Sequence, residues 1–136
     1  MLDLDIAERI FIVGGVLSIA YGFLLGLPLS AVRMQASEAP KHLVVAHLAA
    51  IIQGAMHLGL SVAVRFSTLP TGLETLSALL IVGGSALFVS GATANWLQRV
   101  GDHFAERSLG WKLLAVSGFL NIAGISILLL GVLLAL

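Results

Sequence analysis

The chain contains no cysteine, which excludes disulfides, thiolate nucleophiles, zinc–cysteine sites and cysteine-held iron–sulfur clusters. Charge is nearly as scarce: seven basic and seven acidic residues make up 10% of 136 positions and cancel. With no basic stripe to neutralise a phosphate backbone, nucleic acid is not an expected partner. No apolar segment carries a central Asp or Glu. That removes the paired carboxylates of acid/base catalysis and the intramembrane carboxylate of many proton-coupled transporters. There is also no H-E-x-x-H, G-x-S-x-G or Walker sequence, which argues against a hydrolase or an ATPase. The start, Met1-Leu-Asp-Leu-Asp5, is acidic where a secretory signal needs basic residues, so the first apolar run is expected to stay as a membrane anchor.

Long apolar runs fill the space these absences leave. Hydrophobic residues make up 59% of the chain and the mean hydropathy is +1.07, far outside the range of soluble domains. Four segments, at about 6–29, 42–64, 72–98 and 109–136, are each near or above the roughly 20 residues that carry a helix across the hydrocarbon of a bilayer. Backbone groups in lipid must be satisfied within the segment, and no apolar/polar alternation marks a barrel strand. The expected fold is an all-α integral membrane protein, one domain over 1–136, built as a bundle of four transmembrane helices in a lipid bilayer.

Gly14, Ser18, Gly22 and Gly26 follow one another at four-residue intervals in the first segment. Such a small-residue ridge lets a second helix approach closely, and packing is its expected role. Pro28 is expected to close this helix, leaving Ser30 to Lys41 as a loop. Segment three is rich in small residues and ends in the polar group Thr93, Asn95, Gln98 and Arg99, which reads as a lining surface. Trp96 and Trp111 bracket the next connection like interfacial anchors. Arg33, Lys41, Arg99, Arg107 and Lys112 flank the first and third connections, against Arg9 and Arg65 on the other side. The first and third connections are therefore expected in the cytoplasm and both termini opposite.

Polar side chains inside the spans are the candidate functional residues. His47 lies about a turn into segment two. A neutral imidazole there suits haem iron or another transition metal, or a proton transfer, and an interhelical hydrogen bond is the alternative of equal weight. Gln53 and His57 are four apart and share a face, which Ser61 continues. His57 is about 15 Å along the axis from His47 and well round the helix, so the two cannot clamp one iron between them. His42 and His103 lie in or beside the connections, which leaves single-histidine ligation with an open position, or ligation across a subunit interface. For His57 an interhelical hydrogen bond is the favoured role. Asn95, with its polar neighbours, is favoured as a substrate contact; Asn121, isolated in segment four, as glue between helices. The Tyr21 phenol needs a partner, structural or catalytic.

Three stretches together resemble a known family: the run Gly15 to Gly26 in span one, Ala46-His47-Leu48 followed by Gln53-Gly54 in span two, and Gly91-Ala-Thr-Ala-Asn95-Trp96-Leu97 closing span three. The combination resembles the hydroxylaminobenzene mutases and, more distantly, the haem-dependent styrene oxide isomerases. The resemblance implies a small membrane isomerase of a bacterial inner membrane, acting on a hydrophobic aromatic substrate without net redox change. The reaction is arylhydroxylamine to aminophenol, or aryl epoxide to aldehyde. It implies ferric haem b on His47 as a Lewis acid and a homo-oligomer, a trimer in the epoxide isomerases; Gln53, Asn95 and Tyr21 are the candidate catalytic residues of such a site. The chain departs from the pattern at Gln53, where the family usually has asparagine, at Ala49, where many mutases have glutamate, and at Thr93, where an aromatic residue is common. The rival readings are a small membrane transporter and a haem-binding electron-transfer subunit. The first calls for a central charge or an internal repeat, the second for a further intramembrane ligand.

Overall fold

The computed structural model describes residues 4–136, and these form four long helices with no strand among the described residues. Helix α1 spans Ile6–Gln35, α2 Lys41–Ala63, α3 Thr71–Leu97 and α4 Leu109–Leu133, with one 3-10 turn at Val64–Phe66. All four are long and apolar enough to cross a membrane. The chain is an all-α integral membrane protein by the length and composition of its helices, as the sequence leads one to expect.

Start signals explain the boundaries. Helices α2 and α3 each begin directly after a proline, Pro40 and Pro70, whose fixed φ and missing N–H are tolerated at a helix start. The N-cap of α4 is Ser108, whose hydroxyl accepts from Trp111 N–H at 3.0 Å. At the start of α1, Glu8 accepts from Asp5 N–H at 2.8 Å and pairs with Arg65. The expected end of α1 is wrong: Pro28 lies inside the helix, which runs on to Gln35 and ends where Ala36 turns extended. Proline removes a single backbone hydrogen bond, and membrane helices bear that loss when the surrounding turns hold. The first connection is correspondingly shorter, residues 36–40.

Helices α1 and α2 pair along their length, as do α3 and α4. Helix α3 also packs on α1 and α2, whereas α4 lies almost wholly against α3. The bundle is thus three helices with a fourth laid on one flank. Small residues make both close pairings. A Cβ on Gly54 would lie 2.8 Å from the Gly15 carbonyl oxygen, and the Ser18 hydroxyl donates to the Ala50 carbonyl at 2.8 Å. Gly22 faces Ala50 and Ile51, and Gly26 faces His47, but Gly14, at the head of the same ridge, faces Val82 of α3. Steps of four residues overshoot a full turn by about 40°, so the ridge winds from one neighbour to the next.

The second pairing uses a longer period. Gly110, Ser117, Gly124 and Gly131 recur every seven residues along α4 and are all buried. They lie against α3 and the second connection. A Cβ on Gly91 would be 2.8 Å from the Gly110 carbonyl oxygen, and Gly131 sits beside Ser67 and Leu69. The Ser77 hydroxyl donates to the Gly124 carbonyl at 2.8 Å. A seven-residue repeat keeps one stripe of a helix on its partner.

Two apolar clusters cap the interior. Ala7, Phe11, Val64, Ala78, Ile81 and Leu128 form one; Leu25, Leu43, Ala46 and Ala92, with Leu29 and Trp96, form the other. Between them along α1 and α3 lies a more polar layer. The first and third connections meet at one end, where the rings of His42 and His103 are 5.4 Å apart, edge to face.

Candidate functional site

A cleft of about 240 Å³, partly open to the surface, lies between α1, α2 and α3. Its wall is mainly apolar, with Ser18, Tyr21, His57, Ser85 and Ser90 supplying the polar groups. His57 is 1% exposed; its Nε2 lies 3.0 Å from Ser85 Oγ, and Nδ1 is buried without a hydrogen-bond partner. The Phe11 ring packs against it, 6.3 Å between centroids. His57 therefore makes the interhelical hydrogen bond expected of it and also lines the cleft. Tyr21 lines the same cleft, its hydroxyl 3.1 Å from Thr93 Oγ1. The Thr93 hydroxyl in turn donates to the Val89 carbonyl at 2.8 Å, so the tyrosine donates to Thr93.

His47 lies elsewhere, half-buried in the α1–α2 interface, with Nδ1 2.8 Å from the Gly22 carbonyl oxygen. A carbonyl can only accept, so Nδ1 carries a proton and the tautomer this selects has its lone pair at Nε2. Nε2 has no hydrogen bond and is not among the sealed polar atoms, so it opens at the protomer surface. Gly26 leaves room beside the ring: a Cβ there would come to 3.4 Å from His47 Cε1.

Gln53, six residues further along α2, is half-buried, and its Oε1 is sealed without a partner. Asn95 is completely buried at the end of α3. Its Oδ1 accepts from the Ser108 hydroxyl at 2.7 Å, while Nδ2 has no partner. It lines a second pocket, about 560 Å³, at the bundle end where the first and third connections meet. The four residues expected to form one site are thus distributed over a protomer: Tyr21 at the intramembrane cleft, His47 and Gln53 on α2, Asn95 at the end pocket.

Asn121 donates through Nδ2 to the Ser117 carbonyl of its own helix at 3.0 Å and touches α3 only by packing on Gly84, its Oδ1 buried without a partner, so the interhelical hydrogen bond expected of it is not made. The loop beyond α3 is held by its own carboxylates. Asp102 accepts from Phe104 and Ala105 N–H, Glu106 from Gly101 and Asp102 N–H. The Ala105 and Phe104 amides hold the Asp102 carboxyl below its usual range. Among the described residues no group of three or more His, Cys, Asp or Glu is placed to hold a metal ion; a haem needs only one axial side chain from the protomer.

Sequence reading missed Ser85, Ser90 and the meeting of His42 with His103. The first two are small residues in a small-residue helix. The third joins residues far apart in the chain, so local spacing carries no signal of it. Comparison with family models, with curated proteins and with solved structures yields no match.

Proposed function

We propose that this chain is a membrane-bound isomerase that rearranges a hydrophobic aromatic substrate, an arylhydroxylamine or an aryl epoxide, with His47 as the axial ligand of a ferric haem b. The observation that carries the reading is the His47 ring. Its Nδ1–H is committed to the Gly22 carbonyl and its Nε2 lone pair is free and open. Metal-bound histidines typically have this arrangement, the second nitrogen donating to a carbonyl that fixes tautomer and ring angle and raises ligand basicity. A haem held by His47 would supply a Lewis acid for the substrate oxygen.

The chain's own residues supply orientation and dryness. Gly22 holds the tautomer, and Gly26 keeps space beside the ring. Gln53 Oε1, buried and unpaired, is an acceptor for a substrate N–H or O–H. Apolar helices exclude the water that would intercept a cationic intermediate. Because Nε2 opens at the protomer surface, the site is completed by a neighbouring copy, a homo-oligomer in which Asn95 and Tyr21 act from their own pockets or from the next protomer. The basic residues around the first and third connections orient that end toward the cytoplasm of a bacterial inner membrane.

The test is spectroscopic and catalytic. Protein purified in detergent from haem-replete cells is expected to show a Soret band that His47→Ala abolishes and His57→Gln retains. It is also expected to isomerise phenylhydroxylamine or styrene oxide above the uncatalysed rate. Folded, colourless wild-type protein would sink the haem assignment, and inertness toward both substrates the reaction class.

A further inference from the structure

The end pocket holds two buried polar groups, Asn95 and His42, with hydrogen-bonding atoms that no neighbour meets. Asn95 is fully buried and His42 7% exposed; Asn95 Nδ2 and His42 Nε2 both lack a hydrogen-bond partner, and both residues line the pocket. Buried atoms of this kind bond readily to any acceptor that reaches them.

The polarity of a fitting partner follows from the neighbouring bonds. Trp111 N–H can only donate to Ser108 Oγ, so the Ser108 proton is free for Asn95 Oδ1. The Asn95 amide NH₂ is left as a pure donor, buried in the wall of the pocket. Lys41 and Arg99, both solvent-exposed and lining the same pocket, add two positive charges. The N-terminus of α2, capped by Pro40 with no side-chain hydrogen bond, adds the positive end of a helix of 23 residues. Arg99 is held at φ 52 by a helix-end motif in which Val100 N–H reaches the Asn95 carbonyl at 3.0 Å and Arg99 N–H the Trp96 carbonyl at 3.0 Å. The nearby carboxylates, Asp102 and Glu106, accept hydrogen bonds from their own loop's backbone and act electrostatically on Lys41 and His42, but neither lines the pocket. Donors and cations converge with no lining acid.

We propose that this pocket binds a phosphate group, gripped by the Asn95 amide, His42, Lys41 and Arg99, at the membrane boundary marked by Trp96. A phosphate offers several acceptor oxygens and negative charge to a site made of donors, and it is delivered by either of two sources, a phospholipid headgroup or a soluble phosphate.

Trp96 lines the pocket and, in a Trp111→Phe background, is the only tryptophan. Its emission is followed while the protein, in a neutral detergent at constant ionic strength, is titrated with inorganic phosphate, with dihexanoyl phosphatidylglycerol, and with dihexanoylglycerol, which lacks phosphate. A saturable shift with either phosphate-bearing probe supports the site. Response to the lipid alone assigns the headgroup, and response to inorganic phosphate a soluble ligand. Lys41→Gln combined with Arg99→Gln, at exposed positions that leave the fold intact, is expected to weaken the half-saturation point roughly ten-fold or more. Asn95→Asp keeps the acceptor for Ser108 and is expected to abolish the response by repulsion. No saturable response to either phosphate probe overturns the proposal. So does an equal response to dihexanoylglycerol, or a curve unchanged in the Lys41/Arg99 variant.

Discussion

His47 and His57 sit on one helix ten residues apart and differ in what their nitrogens meet. The His47 Nδ1–H donates to a carbonyl and Nε2 is left open; His57 is sealed, with a serine hydroxyl at Nε2 and the Gly14 backbone near the ring. Removing the hydroxyl leaves His57 Nε2 unpaired in the interior. Ser85→Ala is therefore expected to destabilise the protein by about 0.6–2 kcal/mol, the range of interhelical hydrogen bonds in membranes. His57→Leu in the same background should recover part of that loss, because an apolar pair has no unmet polar group. Denaturation in mixed micelles of detergent and dodecyl sulfate measures both, and a Ser85→Ala protein as stable as wild type would show that the bond contributes nothing. The difference between the histidines was half-legible in the sequence. Helical spacing separates the rings, but their partners, Gly22 and Ser85, lie on other helices, 25 and 28 residues away.

The helices themselves were legible because each apolar run exceeds what a span needs, whereas their ends and pairings depend on finer chemistry. Pro28 signals a stop, but a lone proline is a weak one when the turns beyond it can still hydrogen-bond, and α1 continues to Gln35. The ridge of α1 was visible at its spacing of four. The repeat Gly110, Ser117, Gly124, Gly131 was present too, but its period of seven is masked in a segment apolar on every side. Glycines in the two close pairings should behave unlike those facing open space. A methyl at Gly54 or Gly91 would meet backbone oxygen at 2.8 Å, while nothing lies within 4 Å of one at Gly59 or Gly83. Gly54→Ala and Gly91→Ala are expected to cost about 1–3 kcal/mol through overpacking. Gly59→Ala and Gly83→Ala should be neutral or stabilising by up to about 1 kcal/mol, since alanine restricts the unfolded chain and favours helix. The same mixed-micelle denaturation ranks the four, and equal effects would refute the assigned pairings.

At the scale of the whole molecule, the connections sort into two ends. His42 against His103 joins the first and third connections, while Glu8 with Arg65 and the hydrogen bond of Thr68 N–H to the Gly131 carbonyl gather the termini and the second connection opposite. Five basic residues flank the first end, and lysine and arginine near span ends are retained on the cytoplasmic side. The absence of cysteine makes this testable without background: a single cysteine introduced at exposed Ser37, Ala105 or Thr71 is the only thiol in the chain. In intact bacterial cells with a permeabilised outer membrane, an impermeant maleimide is expected to label Thr71→Cys and to spare Ser37→Cys and Ala105→Cys, with the pattern reversed in inverted inner-membrane vesicles. Agreement of positions 37 and 105 tests the shared end, and the side on which they label tests the charge rule separately. If the two label together from outside, the bundle stands and the orientation is inverted, moving the proposed phosphate pocket to the outer face. If they label from opposite sides, the antiparallel pairing of the helices is itself wrong.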